Sequence, residues 1–484
     1  MIVLTAEEVA QALDLHAFSG PVEAVGIDTR TMKPGDLFVA LRGERFDGHA
    51  FVETALAKGA SAVLVDKAWW EGDGAGMQVP GMCAPIHPVA DTLEALGALA
   101  RAVRRKSGAK VIAVTGSVGK TGTKDLIAAM AGRTGRVVST TANQNNEVGV
   151  PLTLLALEPD TQIAVVEMGM RGPGQIAALT RMAEPDVGVI TAIHPVHLEF
   201  LGSLEGIAEA KAELILALGP AGTAVIPADC DAILPHVADV RARVLRFALN
   251  PNAGGADVWG AVRTRQSRGS ALVSIHWPHT EAEVELPFTS RHRLENTMAA
   301  VAACYAADLP VELCLSGAAD VVFTSSRGDV ATVGEWVVID DTYNASPAAV
   351  RAAVDDLVEL AQERGGRPVA VLGDMLELGP EAERFHEECG AYAARMGVQA
   401  LWGVGPLSRA TSRGFCRAAG IGQRAGHLET VSEAGPVLSG LQPGDVILFK
   451  ASRSVELDTM VSAVMQSAGC SRTDGTRTGA GGGS

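Results

Sequence analysis

Residues 111–125 read VIAVTGSVGKTGTKD. A run of β-branched and small apolar residues, Val111–Thr115, meets a glycine loop, and a helix-compatible segment follows. The spacing predicts a strand, a tight loop and a helix. The loop falls short of the common phosphate-binding pattern G-x-x-x-x-G-K-[ST], because the residue five before Gly119 is Val114. What remains is Gly116-Ser117-Val118-Gly119-Lys120-Thr121. Gly116 and Gly119 can take backbone angles closed to other residues and turn N–H groups toward an anion. Lys120 supplies a point charge for outer phosphates. Thr121 offers a hydroxyl to Mg²⁺ at a helix start, where the dipole also favours negative charge. The bland reading is a glycine turn with a surface lysine. The rarer strand–GxxGKT–helix combination favours phosphate binding.

Working outward, apolar runs at 111–115, 162–167, 187–193 and 223–226 alternate with helical segments over 106–326. This alternation predicts a central P-loop domain built on a parallel sheet with helices on both faces. A β-rich insert, ADVWGAVRTRQSRGSALVSIHW (256–277), precedes the helical RLENTMAAVAACYAADL. Residues 1–105 form a smaller α/β block. It begins with a helix opened by a Thr5/Glu8 capping box and contains a Lys33-Pro34-Gly35-Asp36 turn. Over 327–468 the βα rhythm restarts, with strands expected in WVVIDD, RPVAVLGD, ALWGVG and DVILFKASR. That block reads as Rossmann-like although it lacks G-x-G-x-x-G. The Gly/Ser/Thr/Arg-rich tail, 469–484, is expected to be disordered. The fold class is therefore α/β in three domains: 1–105, 106–326 and 327–468.

Bulk properties narrow the function. A chain of 484 residues exceeds a single core. Its formal charge of −16 argues against non-specific nucleic-acid binding, which needs a basic footprint. A loop can still bind phosphate locally through its N–H groups. The seven cysteines include no C-x-x-C pair, which suggests a reduced, cytoplasmic protein. No apolar run approaches the ~18 residues of a membrane span.

Other residues each admit two readings when taken singly. Glu167 closes a predicted strand, at the sheet edge where it could complete a Mg²⁺ shell or simply face water. His194 and His197 lie three apart, but the intervening Pro195 and the absence of H-E-x-x-H disfavour zinc. His197 alone could be one ligand of a hard cation. Lys211 lies between Glu209 and Glu213, as either a solvated ion pair or a buried lysine open to modification. His292 and Asn296 sit about one turn apart near a helix start. Arg327 falls at a domain junction. Asp340 and Asp341 end a strand, where a carboxylate could hold a ribose hydroxyl or cap the next helix.

Together these stretches resemble the Mur ligases, ATP-dependent amino-acid and peptide ligases of peptidoglycan synthesis, over nearly the whole chain. The resemblance is carried by DTRTMKPGDLFVALRGERFDGHAFV (28–52), NQNNEVGVPLTLL (143–155) and HLEFLGSLEGIAEAKAE (197–213). DDTYNASP (340–347), VLGDMLELG (371–379) and FKASRSVELDTMV (449–461) continue it. It implies the branch that joins D-alanyl-D-alanine to UDP-N-acetylmuramoyl-tripeptide through an acyl phosphate, releasing ADP and phosphate.

The same resemblance implies the roles. Asp28, Thr29, Arg30, Asp47, Gly48 and His49 match positions that hold the UDP sugar. Gly116, Ser117, Gly119, Lys120 and Thr121 match the ATP loop. Thr121, Glu167 and His197 match positions associated with two Mg²⁺, and Lys211 matches a lysine the family carbamylates. Lys120, His197 and Lys211 would be the catalytic set. Asn296, Arg327, Asp341 and Tyr343 match nucleotide contacts, and Asn344 the dipeptide side. A monomer is expected. Departures from the family pattern include Ala192, His194, Ser290, Arg293, Thr342, Ser346 and Ala451, none of which removes a matched ligand. A ligase adding the third peptide residue, a folylpolyglutamate synthase and a plain P-loop NTPase stand as alternatives.

Overall fold

Val111, Ile112, Ala113 and Val114 are all fully buried, and they alternate between two cores. Ile112 and Val114 belong to one hydrophobic cluster, Val111 and Ala113 to another. A strand buried on both faces, with side chains alternating by two, is what a parallel sheet under helices on both sides demands. The computed structural model describes residues 1–43, 46–74, 85–265, 269–324 and 328–468. The expected tail and Arg327 lie outside these residues.

The strand Lys110–Thr115 sits inside a nine-stranded sheet. On one side lie Thr161–Glu167 and then Arg136–Ser139. On the other lie Val187–Ile190, Thr223–Pro227 and Arg243–Ala248, all parallel. The chain leaves Lys110–Thr115 for one side and later returns to the other. The strand's carboxyl end is therefore a topological switch point, the usual place for a ligand crevice. The β-rich insert forms Val258–Arg265, Ala271–Trp277 and Thr280–Leu286, which extend this sheet as an antiparallel meander.

The N-terminal block carries four parallel strands in sequence order: Val25–Gly26, Leu37–Val39, Ala62–Asp66 and Ile86–Val89. Its first helix, Ala6–Ala12, opens with the expected reciprocal Thr5/Glu8 cap. Its last helix, Thr92–Lys106, is capped by Asp91 and packs into the core that Val111 and Ala113 share. Arg104 at the end of that helix donates to the carbonyl of Glu184 (2.9 Å) and to Asp186 (2.8 Å). The two blocks are thus joined by apolar packing and a charged clasp.

The C-terminal block is a six-stranded sheet in the order Asp329–Val333, Trp336–Asp341, Val446–Lys450, Pro368–Gly373, Ala400–Val404, Arg424–Leu428. Only the first pair is antiparallel. The two outermost strands have no apolar run in the sequence. As sheet edges they are covered on fewer sides and tolerate polar residues. The strand expected over 187–193 stops at Ile190, and Thr191–Ile193 turn into the loop beside the crevice. No helix among the described residues is long and apolar enough to cross a membrane.

Candidate active site

The site is built on the turn after Lys110–Thr115. Gly116 has φ 151°, and a Cβ there would fall 1.9 Å from Thr191 Oγ1. Gly119 has φ 85°, and its Cβ would meet Asn296 Oδ1 at 2.4 Å. Both positions therefore need glycine, one for close approach and one for approach and conformation together. Thr191 braces the loop from the neighbouring strand end, donating to the carbonyl of Val118 at 2.6 Å. Ser117 clasps His194, its hydroxyl donating to the His194 carbonyl and accepting from the His194 N–H, each at 2.9 Å.

Lys120 starts the helix Lys120–Ala131, which has no side-chain cap. Its first N–H groups face the loop, and this is the geometry of an anion site. The Lys120 ammonium is held over the loop by the carbonyls of Gly116 (2.7 Å) and Ser117 (3.3 Å).

Behind the loop lies a buried polar network. Thr121 donates to Glu167 Oε2 at 2.7 Å, and Asn145 Nδ2 donates to Oε1 at 2.7 Å. Glu167 is fully buried, and its N–H donates to Thr140 Oγ1. Of the two readings open from sequence, a water-facing glutamate is thereby ruled out. Lys211 is also buried, and its pKa falls well below the ordinary lysine value through loss of hydration and then through the charge of Lys120. It makes no ion pair or hydrogen bond among the described residues. The solvated-pair reading fails here too, because Glu213 instead accepts from the N–H groups of Gly174 and Ala177.

Across the crevice stand the strand ends of the C-terminal block. Asp341 pairs with the buried Lys450 at 2.5 Å. Asp340 turns inward to accept from the N–H and hydroxyl of Thr342. The next helix is capped by Ser346, so neither aspartate serves as its cap. Between the two blocks runs a cleft of about 1230 Å³, which Lys120, Glu167, His197, Asn296, Asp341 and Tyr343 all line. Asn344 lines it as well.

The N-terminal candidates form a separate group and do not line this cleft. Arg30 clamps Asp28 in a two-pronged pair (2.7 Å for the shortest bond), which pulls the Asp28 carboxyl down to about 2. The guanidinium itself stays open to solvent. Thr29 is buried, its carbonyl accepting from Lys58. His49 is a buried tie rather than an open contact. Its Nδ1 lies 2.5 Å from Asp47 and its Nε2 accepts the N–H of Asp66. Gly48 is required because a Cβ would lie 2.6 Å from the Leu41 carbonyl oxygen.

Among the participants that carried no role from sequence are Asn145, Thr191 and Glu377, the last hydrogen-bonded to His197. Asn145 and Glu377 lie in stretches that carry the family resemblance, and Thr191 in a run expected to be strand. Periodicity assigns faces within an element, but these sit in loops, where no period applies. Among the described residues, no three His, Cys, Asp or Glu side chains are grouped to hold a metal unaided. The hydroxyl and carboxylate of Thr121 and Glu167 are hard oxygen donors. They suit Mg²⁺, which is usually bound by one or two carboxylates together with substrate phosphates.

Fold and cleft together define a P-loop α/β protein whose glycine loop faces a Rossmann-like unit. Three family profiles match it: "Mur ligase family, catalytic domain" over 21–104, "Mur ligase middle domain" over 114–304 and "Mur ligase, glutamate ligase domain" over 327–453. The UDP-N-acetylmuramoyl-tripeptide–D-alanyl-D-alanine ligase of Bacillus subtilis is 36% identical over 447 residues, covering 92% of this chain and 94% of that protein. A MurF crystal structure from Acinetobacter baumannii superposes with a TM-score of 0.84 at 30% identity, over 96% of this chain and 99% of the other. The MurF ligase of Thermotoga maritima, solved in complex with ADP, gives 0.77 at 27% identity, over 92% and 98%. This chain belongs to the Mur ligase family.

Proposed function

We propose that this protein joins D-alanyl-D-alanine to UDP-N-acetylmuramoyl-tripeptide at the expense of ATP. The observation that carries the reading is the convergence of the glycine loop, buried Glu167 and the C-terminal strand ends on one cleft. That cleft exceeds the roughly 300–1,000 Å³ of a single-ligand pocket and has room for a nucleotide beside a peptide.

The chemistry follows from a mismatch. A carboxylate does not react with an amine at neutral pH, because its oxygen is a poor leaving group. The peptide carboxylate takes the γ-phosphoryl of ATP, giving an acyl phosphate and ADP. The free amine of the dipeptide then attacks the acyl carbon. The tetrahedral intermediate collapses to an amide, phosphate leaves with the C–O electron pair, and the amine proton passes to solvent or a base.

The chain's own residues position these charges. The N–H groups around Gly116–Thr121 cradle the phosphates, and Lys120 swings from its loop carbonyls to the outer phosphate. Asn296, packed on Gly119, and Asp341 across the cleft fix the nucleoside. Tyr343 and Asn344 border the nucleotide and dipeptide sides. In the small block, Arg30 presents a solvent-facing guanidinium suited to the UDP diphosphate, with Asp28 orienting it. Asp47, Gly48 and His49 shape the adjoining turn. Thr121, Glu167 and His197 would hold two Mg²⁺, which when bound offset repulsion between phosphate and carboxylate.

Lys211 fits the same scheme. A buried, unpaired ammonium is costly, so the lysine favours its neutral amine. That amine can add to CO₂, losing one proton and becoming an anionic carbamate, an additional oxygen ligand near Lys120.

The test is phosphate release coupled to product mass. Release should require ATP, Mg²⁺, a UDP-muramoyl tripeptide and D-alanyl-D-alanine together. Steady release without the peptide or the dipeptide would instead make the protein a simple NTPase.

A further inference from the structure

The loop that carries VLGDMLELG in the C-terminal block crosses the cleft and reaches the central block. There the Glu377 carboxylate hydrogen-bonds Nδ1 of His197. Arg171 Nε stands 3.9 Å from the other carboxylate oxygen. The backbones meet as well: the N–H of Glu199 points to the Glu377 carbonyl at 3.4 Å, and a Cβ on Gly379 would sit in ordinary contact with Glu199, 3.6 Å from its Cα. Leu198 packs against the C-terminal core. His197 and Glu377 both hold left-handed backbones, φ 55° and 62°. Non-glycine residues adopt that conformation rarely, and only where the surroundings enforce it. The contact is therefore specified from both sides of the cleft.

A carboxylate only accepts hydrogen bonds, so it fixes the imidazole proton on Nδ1 and leaves the lone pair on Nε2. This arrangement, in which a carboxylate orients and enriches a histidine whose other nitrogen meets a metal, recurs in metal sites. We propose that Glu377 is a positioning residue: delivered by the C-terminal block, it orients His197 for the metal, so that metal binding at His197 and closure of the two blocks reinforce each other. The proposal rests on the reading of His197 as a metal-associated residue. It adds that the site is completed only when the C-terminal loop is docked. Coupling is reciprocal, so metal should favour the docked state as much as docking favours metal.

The probe is Mn²⁺ with ADP, titrated into the full-length protein and read by electron spin resonance, including the nitrogen hyperfine coupling of a bound imidazole. Expected are a roughly 10–100-fold loss of affinity for one Mn²⁺ in Glu377→Ala, an intermediate loss in Glu377→Gln, which keeps a neutral acceptor, and a weakened nitrogen signal. Metal-free ADP affinity and circular dichroism should match the unaltered protein. His197→Ala separates the two ideas. If His197→Ala weakens Mn²⁺ and removes the nitrogen signal while Glu377→Ala does neither, the positioning role is wrong and the metal reading survives. If His197→Ala leaves Mn²⁺ binding intact, the metal reading falls and this inference with it. Equal affinities for Glu377→Gln and Glu377→Ala, both far below the unaltered protein, would point to loss of docking rather than orientation and would overturn the positioning role of Glu377.

Discussion

Thr121 donates a 2.7 Å hydrogen bond to Glu167, and both side chains are closed off from solvent. The pair ties the first turn of the helix after the glycine loop to the end of the adjacent strand. A second donor, Asn145, occupies the other carboxylate oxygen. Both oxygens are thus oriented by neutral hydrogen-bond donors, and on the proposed reading the carboxylate would take up a metal when the nucleotide arrives.

Glu167→Gln tests that reading. The amide fills the same space, but it lacks the charge and turns a donor toward one of two donors. Ligation kcat should fall at least about 100-fold, while the melting temperature changes little. Glu167→Ala strands both Thr121 and Asn145 and should also cost about 1–3 kcal/mol of stability. Steady-state kinetics beside thermal melts would check both. An active Glu167→Gln enzyme would remove this glutamate from the site.

Gly119→Ala probes the loop itself. At φ 85° any side chain is strained, and the added methyl meets Asn296. The combined effect should weaken ADP binding by about tenfold or more and destabilise by about 1–3 kcal/mol. Adding Asn296→Ala removes the clash but not the strain, so the double variant should recover only part of the stability. Calorimetric titration of ADP and thermal melts of the three variants measure this.

Much of the architecture is legible in the sequence because it repeats with a period. The central strands show as apolar runs because both faces are buried, as the split of Ile112 and Val114 from Val111 and Ala113 illustrates. Edge strands such as Arg424–Leu428 are missed because one side is open and polar residues interrupt the run. The glycine loop is legible since its residue types are dictated by backbone angle. The interior state of Lys211 is not. Glu209 and Glu213 flank it in sequence, yet helix geometry turns it into the core and Glu213 toward the backbone of Gly174. The Glu377 contact spans 180 positions and two blocks, so no local pattern records it.

Carbamylation of Lys211 has a direct readout. Burial and the charge of Lys120 lower the Lys211 pKa, which favours the neutral amine that carbamylation needs, so the carbamate should form with dissolved CO₂. Protein equilibrated with ¹³C-bicarbonate should show one protected carbonyl resonance that Lys211→Ala lacks. Activity should fall after CO₂ is purged and return when bicarbonate is restored. Lys211→Arg keeps a permanent cation and should be inactive. A fully active CO₂-free enzyme would count against the modification.

Asp356 supplies a pH-dependent test on the far wall of the cleft. It lies 3.4 Å from His292, and burial pushes its carboxyl up to about 6, against a hydrogen bond from Ser290 that pulls it down. An acid whose folded pKa is raised binds more protons folded than unfolded. Its contribution is therefore fully present at low pH and is lost as pH climbs from the ordinary carboxylate value, near 4, through 6. Asp356→Asn stays neutral throughout. It should be more stable than the unaltered protein at about pH 7.5, by about 1–3 kcal/mol, and the gap should close below about pH 4. Comparing the two proteins at each pH cancels the titrating groups that do not interact with Asp356; His292, 3.4 Å away, is the neighbour that does not cancel. A gap that stays constant across that range would show that Asp356 is ionised at no cost, and that the cleft wall around it is well hydrated.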